Sequence, residues 1–209
     1  MPLLRSYRLL FVVAFVLFAP WLAAAVPAPP TQTPQRPSLA GRLLVAAPAM
    51  PDSRFARTVV LLAEHNQNGA LGIIINVPVT VRPLADLLES LGEKGPAVLG
   101  SVRVFAGGPV QPEAGFVVHS TDYHGVGTID INDQIALTSS RHILLDLGAG
   151  KGPRKSLLAF GYAGWGAAQL EGEIERGAWV TAPADAQIVF DEDREKVWES
   201  AFARRMQEL

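Results

Sequence analysis

The chain has 209 residues, of which 49% are hydrophobic, and this length and composition predict one or two folded domains rather than a disordered chain. Its 18 Lys and Arg residues are balanced by 20 Asp and Glu residues, so a net charge of -2 provides no broad cationic surface for a nucleic-acid backbone. The sequence contains no Cys, which excludes disulfides, thiolate nucleophiles, thiolate zinc sites, iron–sulfur clusters and cysteine-linked lipid anchors.

The first 25 residues are typical of a secretory signal peptide. Arg5 and Arg8 precede an apolar run, and the segment ends in the small residues Ala23 to Ala25. We expect cleavage after Ala25 and a periplasmic or secreted protein. The alternative is an inner-membrane anchor formed by residues 9–25, although 17 residues that include Pro20 are short for a membrane span.

A proline-rich linker follows the predicted signal peptide. Residues 26–38 contain five prolines and few residues to bury, which is typical of an extended tether. The composition changes at Leu39, so we place one domain at residues 39–209. Cleavage removes two Arg and no acidic residue, leaving 16 basic and 20 acidic residues and a net charge of -4.

Within this domain, short β-rich segments alternate with helical patterns. The predicted strands are 43–47, 58–64, 71–76, 102–105, 115–119, 134–138, 157–162, 179–182 and 188–190. The predicted helices are 83–91, 140–147 with Ser140 as its cap, 167–176, and a last helix that starts at 191–193. The turn at 66–69 favours an antiparallel hairpin of the second and third strands. Hairpins mixed with crossover helices predict an α/β (mixed α+β) fold, with a mixed β-sheet covered by helices in a single compact domain.

A series of ordered motifs runs through the same domain. They are GRLLVAAPAMPD at 41–52, FARTVV at 55–60, EHN at 64–66, GALGIIIN at 69–76, GGPV at 107–110, GFVVH at 115–119, FGYAGW at 160–165, QLEGEI at 169–174 and WVTAPAD at 179–185. Together they resemble the YqgE/AlgH family of bacterial proteins over nearly all of 39–209. The resemblance implies an α/β body with a strongly coiled mixed sheet. It also implies a family without an established biochemical activity, in which some members have been given a regulatory role in transcription or exopolysaccharide production.

Eleven motif residues are expected to have structural roles. They are Arg57, Glu64, Asn66, Gly69, Gly72, Gly107, Gly108, Pro109, His119, Pro183 and Asp185. The chain departs from the family at Val77, where members usually carry a basic residue, and at residues 1–38, which members commonly lack. An exported protein does not reach chromosomal DNA, so a cytosolic regulatory role would require translation to start downstream.

Glu64 and His65 are the first candidates for chemistry, because a carboxylate beside an imidazole is suited to acid/base catalysis. Adjacent residues of a strand face opposite sides, so the two share a site only where the strand is twisted or bulged. A catalytic, a ligand-contacting and a structural role for His65 all remain open.

The segment from His119 to His124 contains three residues of metal-ligating types, but their spacing matches no metal-binding signature, and we predict no metal and no cofactor. Ser120 lacks the G-x-S-x-G context of a hydrolase nucleophile. For Gly107 to Pro109, a tight turn is favoured over an anion-binding loop, because Pro109 has no N–H group to donate.

Tyr162, Trp165 and Trp179 are suited to a cleft or to core packing. Glu171 and Glu173 are two residues apart on a predicted helix and point in different directions, so we expect at least one to be a solvated surface charge.

Two functions of different class follow from these residues. The first is a non-enzymatic exported binding or accessory module that binds an unknown protein or small-molecule ligand, but no nucleic acid, and contacts a membrane only through an uncleaved N-terminal segment. Four residues are expected to border its cleft: His65, Asn76, Tyr162 and Trp165. The second is a hydrolase that uses His65 with Glu64 or Asp185 as the partner carboxylate.

Overall fold

The computed structural model describes residues 37–93, 98 and 100–205. The predicted signal peptide at 1–25, most of the linker at 26–38 and the last four residues lie outside the described residues. In the described part of the chain, no helix is long and apolar enough to cross a membrane.

The described residues form ten strands and five helices. The strands are β1 (Arg42–Ala46), β2 (Val59–Asn66), β3 (Gly69–Ile74), β4 (Pro78–Pro83), β5 (Ser101–Ala106), β6 (Val110–Ser120), β7 (Ile129–Asp130), β8 (Ile135–Thr138), β9 (Ser156–Gly166) and β10 (Trp179–Pro183). The helices are α1 (Leu84–Ser90), α2 (His142–Gly148), α3 (Gln169–Glu175), α4 (Ala186–Val189) and α5 (Arg194–Arg204).

The strands form one curled, mixed sheet in the order β10-β1-β2-β3-β9-β6-β8-β7, and β4 is joined to it through β5. The long strand β9 connects the two halves, because its first half pairs with β5 and β6 and its second half pairs with β3. The β5–β9 pair is parallel, whereas the other described pairs are antiparallel.

Both faces of the central strands are buried, which explains their continuously apolar sequences. One face forms the α5 core, which includes Leu43, Val45, Val59, Leu61 and Trp198. The opposite face forms the α3 core, which includes Leu44, Val60, Trp165, Leu170 and Trp179. A third cluster packs α1 and α2 against β5, β6 and β9.

The predicted α/β class with a mixed sheet covered by helices is confirmed, and so is the antiparallel hairpin of β2 and β3. The prediction of a strand at 188–190 is wrong. These residues follow Asp185, whose side chain accepts a hydrogen bond from the Gln187 N–H and thereby caps helix α4.

Three further differences concern β4, β7 and the start of α2. Strand β4 is exposed along its whole length and has proline at both ends, so its sequence does not show the apolar alternation by which a strand is predicted. Strand β7 has only two residues, which is too short for such a pattern. Helix α2 begins after Arg141 rather than at Ser140, but the Ser140 hydroxyl accepts a hydrogen bond of 3.4 Å from the His142 N–H in the first turn and also contacts His142 Nδ1 at 3.1 Å.

Candidate functional site

His65 lies near the end of β2, beyond an irregularity in the β2–β3 register between Leu62 and Glu64. After this bulge, His65 pairs with Ala70 on the α3-core side, whereas Glu64 pairs with Leu71 on the α5-core side. The bulge therefore places the His65 ring in a buried environment, with 6% of its side chain exposed, and leaves Glu64 on the other face.

Both ring nitrogens of His65 are engaged. Its Nδ1 accepts a hydrogen bond of 2.9 Å from the Leu39 N–H, so the ring proton belongs to Nε2, which lies 3.1 Å from Glu171 Oε1. The Ser38 hydroxyl also donates to the His65 carbonyl at 2.8 Å. His65 thus ties the beginning of the domain to α3.

The carboxylate partner of His65 is neither of the two that the hydrolase hypothesis requires. Glu64 lies on the opposite face of the sheet, and Asp185 forms an ion pair of 2.6 Å with Arg204. The hydrogen bond from the Gln187 N–H, followed by that from Arg204, lowers the pKa of Asp185. The geometry therefore gives no support to a hydrolase built on these pairs.

Glu173 accepts hydrogen bonds from two indole N–H groups. Trp165 Nε1 and Trp179 Nε1 each lie 2.9 Å from Glu173 Oε2, while Gln169 donates to Oε1 at 2.9 Å. Partial burial raises the pKa of Glu173, but the hydrogen bonds from Gln169 and the two indoles outweigh it, so the pKa lies below its ordinary value. The expectation that Glu171 or Glu173 is a solvated charge is wrong, because Glu171 bonds His65 and Glu173 bonds Trp165 and Trp179.

The four residues predicted to border one cleft do not come together. Trp165 pairs with Ala70 and faces the α3 core as His65 does, whereas Tyr162 packs against the α5 core and contacts Phe116 with ring centroids 6.0 Å apart. Residues three apart along a strand point to opposite faces, which explains the separation of Tyr162 and Trp165.

Asn76, the fourth of these residues, lies at a different position and joins two segments of chain. Its Oδ1 accepts from the Val59 N–H at 2.8 Å, and its Nδ2 donates to the Arg57 carbonyl at 2.9 Å. Arg57 has a φ of 56°, in the left-handed region. These bonds hold Arg57 so that its guanidinium carbon lies 4.4 Å from the centre of the Trp198 ring.

Arg57 and Asn76 border an open groove of about 490 Å³, which we call the Trp198 groove. Its lining consists of Arg57, Asn76, Val77, Pro78, Arg194, Glu195 and Trp198. Trp198 is 9% exposed, and its indole N–H donates to the Ala46 carbonyl at 2.8 Å, so this wall is fixed before any ligand arrives. The sequence motifs indicated Asn76 and Arg57 but not Trp198, which also packs in the α5 core.

The remaining motif residues serve turns and close approaches. Asn66 Oδ1 accepts from the Asn68 N–H at 2.8 Å within the β2–β3 turn, and Pro183 ends β10 opposite Arg42. The Gly107 N–H donates to the Phe160 carbonyl at 2.7 Å, which commits it to the sheet. Gly69 and Gly72 each lie so close to neighbouring atoms that an added Cβ would overlap them.

The potential metal ligands between His119 and His124 have separate partners. His119 is fully buried, and its Nδ1 donates to the Ser120 carbonyl at 3.0 Å. Asp122 bonds Arg154 at 2.9 Å, and His124 bonds Asp130 at 3.1 Å. In the described ranges, no group of three such residues is placed to hold a metal ion.

We expect His119 to make the stability of the protein depend on pH. Burial lowers the pKa of His119, and its Nε2 has no hydrogen-bond partner among the described residues. An unfolded His has a pKa of about 6.5, so the unfolded state takes up the proton first. The free energy of unfolding should be highest above this value and should fall as the pH drops below it.

Urea unfolding at about pH 7.5 and about pH 5.5 measures this effect. In His119→Phe, the part of the pH dependence due to this ring should disappear, so the variant should lose less stability than the wild type between the two conditions. An equal loss in both proteins would contradict the assignment.

Comparison with known proteins identifies relatives over most of the chain. The sequence profile of the AlgH-like family matches residues 43–209. A UPF0301 protein of Nitrosococcus oceani is 45% identical over 161 residues, which cover 77% of this chain and 86% of the relative. A UPF0301 protein of Methylococcus capsulatus is 44% identical over 164 residues, covering 78% and 87%.

Two solved structures are similar in fold. The solution structure of the AlgH protein from Pseudomonas aeruginosa is 40% identical, has a TM-score of 0.69, and covers 85% of this chain and 90% of its own. The crystal structure of a protein from Corynebacterium diphtheriae is 25% identical, has a TM-score of 0.63, and covers 80% and 87%. These matches confirm the family that the sequence motifs indicated.

Proposed function

The chain belongs to the AlgH-like family, and from this premise we propose that it is an exported, non-enzymatic binding module that holds an extended segment of a protein partner in the Trp198 groove. The observation that carries this proposal is the composition of the groove. It presents a fixed indole, a proline, a valine, an amide and charged side chains, which recognise a ligand through packing and hydrogen bonds.

The neighbouring strand favours an extended segment as the occupant. Pro78 lines the groove and also begins β4, which pairs with β5 and with no other described strand and therefore forms an edge. Val79 and Val81 of this strand are 64% and 61% exposed. A partner strand that adds to such an edge is bound by its backbone, and a side chain that enters the adjoining groove provides specificity.

The state of His65 supports a non-enzymatic role. An acid/base catalyst needs a ring nitrogen that reaches the substrate. In this protein the Leu39 N–H occupies Nδ1 and Glu171 lies at Nε2. The imidazole therefore joins two parts of the fold.

The N-terminal sequence supports export, because Arg5 and Arg8 followed by an apolar run and small residues are the pattern of a signal peptide. Fractionation of cells that express the full-length chain with a C-terminal tag tests this. We expect a shortened protein in the periplasm. Full-length protein in the membrane fraction would favour the anchored form, and full-length protein only in the cytosol would refute export.

Crosslinking in cells tests the groove and its occupant. A photoreactive amino acid at position 79, beside the groove, should give a discrete adduct with another protein. The control position is Val126, which is 74% exposed and does not line the groove, and the same probe there should give no such adduct. Val77→Glu should suppress the adduct, because the added carboxylate enters the groove near Arg57 and Arg194. Equal adducts from both positions, or an adduct that Val77→Glu leaves unchanged, would contradict the proposal.

A further inference from the structure

A second cavity, of about 370 Å³, lies where β5 and the start of β9 meet the segment before α5. We call it the Arg194 cavity. Its apolar wall is formed by Phe105, Leu157 and Phe190. Sequence motifs gave no indication of it, because its charged residues come from three separate segments of the chain.

Four cationic side chains line this cavity: Arg103, Arg154, Lys155 and Arg194. The carboxylate in the lining belongs to Glu192, so positive charge is in excess. Arg154 forms an ion pair of 2.9 Å with Asp122, whereas Arg103 donates a hydrogen bond of 3.3 Å to the backbone carbonyl of Glu192.

Arg194 is the unusual member of this set. It is 8% exposed, and its Nη1 donates to the Val189 carbonyl at 2.9 Å. Its guanidinium carbon lies 5.3 Å from the centre of the Phe105 ring, and its Nε has no hydrogen-bond partner among the described residues. Among residues 37–93, 98 and 100–205, no carboxylate lies within 4 Å of the Arg194 guanidinium nitrogens.

A buried guanidinium without an ion-paired carboxylate is costly, because water is removed and the charges of Asp191 and Glu192 act on Arg194 without a direct bond to it. Burial, followed by the positive charge of Arg103, lowers the pKa of the Arg194 guanidinium, and the negative charges of Asp191 and Glu192 offset this only in part. An anion in the cavity would supply both the missing charge and the missing acceptor.

We propose that the Arg194 cavity is a binding site for a small organic anion, in which a phosphate or carboxylate group is carried on an apolar or aromatic body. The anionic group meets Arg194 and Arg103, and the apolar body packs against Phe105, Leu157 and Phe190. This site differs from the Trp198 groove in its ligand and in the rest of its lining, although Arg194 lines both.

Isothermal titration of the purified protein with three probes of similar shape tests the site. Phenyl phosphate and benzoate carry the two anionic groups, and benzyl alcohol is the neutral control. We expect at least one anion to bind at least about tenfold more tightly than benzyl alcohol, since a hydrogen bond to a charged group corresponds to about this factor. The ratio of the two anions distinguishes a phosphate from a carboxylate ligand.

Variants locate the binding. Arg194→Met keeps the apolar part of the side chain and removes the charge, and Arg103→Gln changes an exposed residue with little risk to the fold. Each substitution should weaken the binding of the preferred anion by about tenfold, which corresponds to the loss of one hydrogen bond to a charged group. Lys151→Gln removes an exposed charge outside the cavity and should change the affinity for the same anion by less than about twofold.

Two results would overturn the proposal. One is the absence of saturable binding of either anion to the wild type up to about 10 mM, which corresponds to an affinity too weak for a built site. The other is binding that both Arg194→Met and Arg103→Gln leave unchanged.

Discussion

Glu173→Ala is expected to destabilise the domain by about 3 kcal/mol, because it leaves two indole N–H groups without an acceptor. Trp165 and Trp179 are 7% and 2% exposed, so water cannot readily replace the lost carboxylate. Their rings also contact each other, with centroids 5.9 Å apart, and both pack in the α3 core. Urea unfolding followed by Trp fluorescence, to which these two indoles contribute together with Trp198, measures the loss.

Glu173→Gln separates the lost hydrogen bonds from the lost charge. Both indoles bond the same atom, Oε2, so an amide oxygen placed there retains both hydrogen bonds. The bond from Gln169 to the other carboxylate oxygen is lost, and we expect a cost of about 1 kcal/mol. Glu89→Ala, at an exposed position of α1, is the control for removing a surface carboxylate and should change stability by less than about 0.5 kcal/mol. Equal effects of Glu173→Ala and Glu89→Ala would show that the carboxylate does not hold the indoles.

Apolar pattern and turn chemistry were sufficient to predict the central strands and the class of the fold. Strands such as β1 and β2 are buried on both faces and therefore read as continuous apolar runs. The same reasoning failed at Ile188 to Phe190, because a short apolar run does not distinguish a strand from a buried helical turn. Asp185, three residues earlier, is a typical helix N-cap residue, and its carboxylate was the feature of the sequence that indicated a helix.

The contacts of the candidate sites were not predictable from local pattern. His65 bonds Glu171, which is 106 residues away in the chain, and the choice of face depends on a bulge of a single residue. The cations of the Arg194 cavity are dispersed from Arg103 to Arg194 and meet only because β5 and β9 are parallel neighbours beside the segment before α5. Contacts between residues so far apart in the chain leave no periodic pattern in the sequence from which they could be predicted.

Gly108→Ala is expected to have the largest effect, a loss of at least about 4 kcal/mol or no folded protein at all. Gly108 has a φ of 154°, and a Cβ at this position would overlap the carbonyl group of Tyr162 and the backbone nitrogen of Ala163. Because these are backbone atoms of the central strand β9, no side-chain rotation relieves the overlap, and the strand would have to move out of its pairing with β3. Soluble yield and thermal unfolding of the variant measure the effect.

Gly150→Ala provides the matched control for backbone conformation alone. Gly150 also has a positive φ, of 69°, but a Cβ there would lie more than 4 Å from the other atoms of the described residues. Its cost should be about 1 kcal/mol, the ordinary penalty of a left-handed conformation for alanine. A large difference between the two variants would show that the Gly-Gly-Pro motif is needed for close approach to β9. Similar small losses would mean that β9 can move away, and an anion-binding role for the turn would then deserve a direct test.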